Sequence, residues 1–458
     1  MAAVSGGILI EVSPGETRAA IVDSDDRLVE LLIERVDRPP LEGGIHLGRV
    51  TRIETSLNGA FVALANGLDG FLRRVKGVHE GQSIVVQVTR EPSGGKGVTL
   101  TDRPTLMGRY LTLVPDRNDV TYSRSLGSGR RRAQLEGLAN RIRAEAGHGL
   151  AFRAAAAFAK DEEIAAEAVR LREDWNAVQG SIDRGQATVC LVEAPDLLTR
   201  VLRDRSGGQV VIDNPLSFRT AESFVQKRVP DWHGLLRRHD DQIPLFEAYG
   251  IAETVDGVCD RIVTLPGGLR LIFDSVEAMT VIDVDSGSGG RRAADDAILR
   301  VNRSALSEVV RQVRLRNLSG LIVIDFLNMR KKQVRSQFLQ AARKAFRDDP
   351  MQVDVLGLTA AGLLELTRRR AAPPLHDLLI ETGVGQPAGD ASACAALRAV
   401  LRLTGPGTPV IAAPSPVIRA LEGPLVAARD EVDRRMGQNV QLRVDALRFP
   451  WDVLLERA

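Results

Sequence analysis

The chain has 458 residues, enough for roughly two to four domains, and its 44% hydrophobic and 26% charged content excludes a disordered or fibrous protein. With 61 Lys plus Arg against 59 Asp plus Glu the net charge is +2, which excludes a polycation and leaves any nucleic-acid affinity to local clusters. The three cysteines, Cys190, Cys259 and Cys394, are too widely spaced for a disulfide framework or a zinc pattern, and the six histidines are equally scattered.

In chain order, segments 8–12, 17–22 and 28–36 alternate around the turns Ser13-Pro14-Gly15-Glu16 and Asp23-Ser24-Asp25-Asp26, which predicts a three-stranded meander. Beyond Pro39-Pro40 come short strands at 47–53, 59–65, 70–75, 83–89 and 97–101 with Gly, Asn and Ser at the corners. That pattern predicts a small Greek-key barrel of the oligonucleotide-binding type. Phe61 and Phe71 fall in its second and third strands, where they suit either the barrel core or stacking on bases. Lys96, flanked by glycines, suits either a phosphate contact or an exposed turn.

Segments 130–147 and 154–180 are rich in Ala, Glu and Arg at helical spacing, and 188–193 and 209–213 read as strands. Segment 295–316 places Ile298, Val301, Ala305, Val309, Val310 and Val313 on one face of an amphipathic helix. A helix at 334–346, a strand at 353–356 and a helix or turn at 361–370 follow. Residues 382–391 are Gly/Pro/Ala-rich and read as a linker. The remainder, 392–458, reads as a small α/β appendage: helix, strand 409–413, helix 415–435, strand 439–444. The basic clusters Arg130-Arg131-Arg132, Arg311 with Arg314 and Arg316, Arg330-Lys331-Lys332 and Arg368-Arg369-Arg370 suit solvated faces when taken singly. No apolar run is long enough to span a bilayer and the first residues lack a secretory pattern, so a cytoplasmic location is expected.

Two hydrophobic runs ending in acid flank the 295–316 helix: Thr280-Val281-Ile282-Asp283-Val284-Asp285 and Leu321-Ile322-Val323-Ile324-Asp325. Each reads as a strand buried on both faces, and the helix between them makes a β-α-β crossover, for which a parallel, right-handed arrangement is the default. Parallel neighbours bring Asp283, Asp285 and Asp325 to one sheet edge, where α/β folds place ligands. Such oxygen donors suit Mg²⁺, although strand-end Asp residues also serve as caps and turn formers.

Gly48-Arg49-Val50-Thr51-Arg52-Ile53, Ile212-Asp213-Asn214-Pro215, Ile243-Pro244-Leu245-Phe246, Leu265-Pro266-Gly267-Gly268, Val276-Glu277-Ala278-Met279-Thr280-Val281-Ile282-Asp283-Val284 and Arg314-Leu315-Arg316-Asn317-Leu318 follow, in order and spacing, motifs of the ribonuclease E/G family of bacterial endoribonucleases. The chain resembles that family over 8–376 and looks like a short, ribonuclease G-like form. The resemblance implies an α/β multidomain architecture: an RNase H-like subdomain (1–38 and 199–258), an inserted S1 barrel (39–102), a 5′-sensor region (103–198) and a DNase I-like catalytic subdomain (259–381). The linker 382–391 and a small C-terminal domain, 392–458, complete it. It implies catalytic Mg²⁺ on Asp283 and Asp325 and RNA contacts from Phe61, Phe71 and Lys96; Asp285 beside the pair is expected to serve catalysis by orienting the attacking water or a group bonded to a metal ligand. Gly108 and Arg153 match positions that contact a 5′-monophosphate.

The implied substrate is single-stranded RNA, cut hydrolytically to 5′-phosphate and 3′-hydroxyl ends in rRNA or tRNA processing or mRNA decay. A non-catalytic RNA-binding scaffold and a DNA nuclease are the rival readings. The chain departs from the family pattern in three places. Asp285 stands where the family has Asn and Asn328 where it has Asp, which moves the third charge. Thr112 replaces an apolar residue, and Ala154 replaces Thr after Arg153, a change that removes a hydroxyl donor to phosphate and predicts little 5′-end preference. Residues 376–383 lack the family's zinc-link cysteines, so no structural zinc is expected and a homo-oligomer must use another surface.

Overall fold

Adjacent buried residues such as Ile8-Leu9-Ile10 and Ala19-Ala20 stand where strict alternation is expected, and these segments form an antiparallel meander of Gly7–Ser13, Glu16–Val22 and Leu28–Arg35, with Ile10 opposite Ala19 and Ala19 opposite Leu32. The computed structural model describes residues 6–456 except 66, 74–76, 93–96, 183–187, 206, 288–294, 371, 382–386 and 449. These residues form two compact units, Met1–Asp37 with Asp240–Ala458, and Arg38–His239.

The Arg38–His239 unit contains the barrel. Ile45–Glu54, Gly59–Ala63, Asp69–Arg73, Ser83–Arg90 and Val98–Thr101 are its strands. Antiparallel pairing of the first with the fourth (Ile45 opposite Gln87) and parallel pairing of the third with the fifth (Phe71 opposite Thr99) close it around Val50, Ala60, Val62, Leu72, Val86, Val98 and Leu100. The Phe71 ring lies across Gly59 of the adjacent strand, where an added Cβ would come within 2.4 Å of it. A second, four-stranded sheet contains Leu111–Val114 and Gly149–Phe152 and packs on the helices Arg130–Ala146 and Asp161–Ile182 through Leu113, Leu135, Leu138, Phe152, Leu171 and Trp175.

The predicted helix at 154–180 is in fact a 3₁₀ turn, Ala154–Ala157, followed by the helix Asp161–Ile182. Asp161, Glu162 and Glu163 set that start, because carboxylates favour the positive end of the helix dipole. Two unpredicted helices follow. Leu197–Asp204 is capped by the Asp196 carboxylate, which accepts from Thr199 N at 2.8 Å. Pro215–Arg228 is capped by Asn214, with proline at its first position, a sequence signal that is legible in retrospect.

In the other unit a six-stranded sheet runs in the order Ile262–Thr264, Arg270–Ser275, Met279–Asp285, Gly320–Asp325, Leu364–Arg368, Val353–Leu358. Met279–Asp285 and Gly320–Asp325 are parallel, as the crossover predicts, with the helix Asp295–Leu315 between them in sequence. That helix and Lys332–Ala345 cover one face, burying Leu271, Phe273, Ile282, Val284, Ile322, Ile324, Leu364 and Leu366. The acidic strands are therefore buried on one face only: Thr280, Ile282 and Val284 point inward while Asp283 is exposed. Continuous apolar runs hide this alternation because Val281 and Val323 sit half-buried on the open face.

The expected helix or turn at 361–370 is corrected to the strand Leu364–Arg368, which pairs antiparallel with both neighbours. Ala360 and Ala361 favour helix locally, but burial of Leu364, Leu366 and Arg368 on alternate positions selects a strand. Of the expected linker, 382–386 lie outside the described residues, and its end is instead the start of the helix Gly389–Val400. The expected helix at 415–435 is two, Ser415–Glu422 and Val426–Met436, broken at Gly423-Pro424 where proline has no N–H to donate. Gln441–Val444 pairs parallel, and the unpredicted Asp452–Glu456 antiparallel, with Thr408–Ala413. No helix among the described residues is long and apolar enough to cross a membrane.

Candidate active site

Sheet register places Asp283 directly opposite Asp325 on adjacent parallel strands, both exposed on the face the helices leave open. Neighbouring strands lie about 4.8 Å apart, so two carboxylates share a space of the size a cation occupies. Burial, and then the charge of Asp283, push the Asp325 carboxyl above the usual carboxylate range. That mutual repulsion is what a divalent cation relieves. Among the described residues no third Asp, Glu, His or Cys joins them in a metal-holding group, and two carboxylates with water and phosphate are a normal Mg²⁺ donor set. The residues present thus fit a hard cation.

Asp285, the next residue on the same face, is engaged elsewhere. It stands opposite Arg270, whose Nη2 donates to its carboxylate, and its Oδ1 accepts from Gly287 N at 2.8 Å. The Arg270 hydrogen bond, and after it the Gly287 amide, hold its carboxyl below the usual range. Asn328 is exposed on the loop beyond Asp325.

Sequence reasoning missed Asn302, a fully buried amide on the apolar face of the helix Asp295–Leu315. Its Nδ2 donates to Leu327 O at 2.8 Å and its Oδ1 accepts from Leu327 N at 3.1 Å, which pins the chain two residues past Asp325. Arg335 Nε donates to Met329 O at 2.6 Å and fixes the same loop. A polar residue interrupting the stripe of Ile298, Val301 and Ala305 was the available signal.

In the barrel, Phe61 and Phe71 are register partners with ring centroids 5.3 Å apart, and the Arg52 guanidinium lies 4.6 Å over the Phe61 ring. Both rings are half-buried and stand outside the barrel core. Lys96 lies outside the described residues.

The structure brings Gly108 and Arg153 together: Arg153 Nη1 donates to the Gly108 carbonyl. Its Nη2 donates to Asp204 Oδ1 at 2.7 Å, and Arg203 holds the same carboxylate through Nε and Nη2, each at 2.8 Å. Burial alone raises the Asp204 carboxyl, but Arg203 and then Arg153 outweigh it and hold it below the usual range. Beside this pair the Glu167 carboxylate accepts from the backbone N–H of Arg109, Tyr110 and Leu111 at 2.6, 2.7 and 2.8 Å. An added Cβ at Gly108 would lie 2.5 Å from Glu167, so packing alone accounts for glycine there.

Nucleophilic thiol chemistry has no candidate. Burial pushes the Cys190 and Cys259 thiols up to about 11 and Cys394 up to about 12, so none is a thiolate at neutral pH.

Comparison with known proteins bears on the same residues. The sequence profile of the Ribonuclease E/G family matches residues 105–371, which include both acidic strands. The chain is 32% identical to Ribonuclease G of Haemophilus influenzae over 82% of its own length and 81% of that protein. It is 30% identical to Ribonuclease G of Salmonella typhimurium over 96% and 97%. Against Ribonuclease E of Nostoc sp. the identity is 33%, over 84% of this chain and 58% of the longer relative. A profile that covers more than half of the chain, with similarity that runs through the barrel and the carboxylate sheet alike, decides the matter: the chain belongs to the Ribonuclease E/G family and is, by that membership, an endoribonuclease.

Proposed function

We propose that the chain hydrolyses phosphodiester bonds within single-stranded RNA, leaving 5′-phosphate and 3′-hydroxyl ends, at a Mg²⁺ site held by Asp283 and Asp325. The observation that carries this is the register pairing of those two carboxylates on an open sheet face. When bound, Mg²⁺ supplies Lewis-acid polarisation of a phosphoryl oxygen and a water of lowered pKa. The protein's own part is positional: Asn302 and Arg335 fix the loop after Asp325, and the rigid strand pair fixes the carboxylates.

In this reading 39–102 is an S1 module, 1–38 with 199–258 an RNase H-like subdomain and 259–381 a DNase I-like one. Phe61 and Phe71 hold unpaired bases by stacking, and Lys96 meets a phosphate, which makes paired RNA a poor substrate. The setting is cytoplasmic rRNA or tRNA processing or mRNA decay, and any self-association proceeds without a zinc link, since 376–383 carry no thiol.

A labelled, unstructured RNA oligonucleotide incubated with Mg²⁺ tests the proposal against EDTA, Asp283→Asn and Asp325→Asn controls. Each control is expected to lower the cleavage rate by at least about a hundredfold. If the intact protein shifts the RNA on a gel yet cuts no better than the controls, it is a binding scaffold and the catalytic reading is wrong. Equal cleavage of an all-deoxy oligonucleotide would refute RNA as the substrate class.

A further inference from the structure

The ion pair between Arg270 and Asp285 lies beside the carboxylate pair. Asp283 and Asp285 share a face of one strand, and their cross-strand partners are Ile272 and Arg270 on the next. One such step along a strand is about 7 Å, within the reach of an arginine side chain. The Arg270 side chain is 45% exposed and that of Asp285 34%, so the pair opens to solvent on the face that carries Asp283 and Asp325. Among the described residues the Arg270 guanidinium is bonded through Nη2 alone, which leaves the rest of its planar fork available.

Asp285 is differently placed. One of its oxygens accepts from Gly287 N and the other from Arg270, so both are committed. Charge counting agrees. Three free carboxylates carry one charge more than a divalent cation neutralises, whereas Asp283 and Asp325 with a neutral Arg270–Asp285 pair match it. A guanidinium fork next to that balanced centre is suited to a phosphate oxygen, which it can bind in two-pronged fashion.

We propose that Arg270 contacts a backbone phosphate of the RNA strand at the cut, and that Asp285 is the positioning residue that holds Arg270 on the catalytic face, not a ligand of the cation. This rests on the reading of Asp283 and Asp325 as the phosphodiester site. Asp285 then acts only through Arg270, so its removal matters little once Arg270 is gone.

Binding of a single-stranded RNA oligonucleotide with Mg²⁺ present is measured against salt in the non-cutting Asp325→Asn background, with and without Arg270→Ala. Loss of one phosphate contact is expected to reduce the slope of log affinity against log salt by about 0.7. Arg270→Lys keeps the charge and is expected to keep the slope, which also controls for folding. In the otherwise native protein Arg270→Ala is expected to lower kcat/KM about ten- to hundredfold. Asp285→Asn added to it is expected to change kcat/KM less than about twofold further. Calorimetric Mg²⁺ affinity is expected to survive Asp285→Asn and to fall with Asp283→Asn. An unchanged slope for Arg270→Ala, the same slope loss for Arg270→Lys, or Mg²⁺ affinity lost with Asp285→Asn overturns the proposal. Undiminished cleavage by Asp325→Asn would instead overturn the phosphodiester reading on which it rests.

Discussion

Arg153 shows how one contact changes the meaning of a matched position. The guanidinium that would greet a 5′-phosphate already has two acceptors, the Gly108 carbonyl and the Asp204 carboxylate. A 5′-monophosphate would have to displace a carboxylate that Arg203 also holds, and Ala154 offers no hydroxyl in compensation. The protein is therefore expected to cut 5′-monophosphate and 5′-hydroxyl RNAs at rates within about threefold of each other, and Asp204→Asn to raise the monophosphate preference to about tenfold or more. Paired rate measurements on the two substrates check this; a strong preference in the unaltered protein would show that the carboxylate yields. Asp283 and Asp325 were readable as strand-end carboxylates because their flanking runs are local, and Arg153 only as a position matched to the family. Asp204, Arg270 and Asn302 were not, because their roles depend on partners 51, 15 and 25 positions away.

At the level of elements the barrel was the most legible part, since glycine corners and short alternating runs specify strand ends directly. The structure also narrows the place of Phe61 and Phe71, which pair on half-buried positions and leave the core to aliphatic residues. Phe61→Ala and Phe71→Ala are each expected to weaken binding of unstructured RNA by about 1–3 kcal/mol, measured by fluorescence anisotropy. A large fall in melting temperature with unchanged affinity would identify them as core residues. The strand Leu364–Arg368 was misread because its Leu and Glu residues, with Ala360 and Ala361 just before it, favour a helix, while its true state depends on two flanking strands. Arg368 completes it: the buried guanidinium donates to Asp349 Oδ2, Asn317 Oδ1 and Leu318 O, each at 3.0 Å. Nothing in the local sequence marks that arginine as an interior group.

Over the larger unit, the first and last parts of the chain meet through buried charge. Glu16, only 3% exposed, accepts from Arg35 Nε at 3.1 Å and from Arg398 Nη1 at 2.6 Å, while Arg35 also pairs with Asp390 at 3.0 Å. Arg402 adds Glu11 at 3.3 Å and Glu247 at 3.0 Å. The network ties the N-terminal meander to the helix Gly389–Val400, so the small C-terminal segment is part of the same compact unit. Glu16→Ala takes the paired carboxylate from Arg398 and leaves Arg35 with Asp390 as its acidic partner, and is expected to destabilise this unit by about 3–5 kcal/mol in urea denaturation. A loss below about 1 kcal/mol would show that water reaches the site and solvates the arginines. By itself the sequence determined the N-terminal meander, the barrel, the parallel crossover and the strand ends on which Asp283 and Asp325 stand, because each is encoded in periodicity, turn residues or motif within a few neighbouring positions. Only the tertiary structure decided which sheet face is open, that Asp285 belongs to Arg270, that Asp204 fills the fork of Arg153 and that Glu16 reaches Arg398. The physical reason is that hydrogen-bond and ion-pair partners are chosen by strand register and packing, which bring together residues whose separation along the chain carries no local signal.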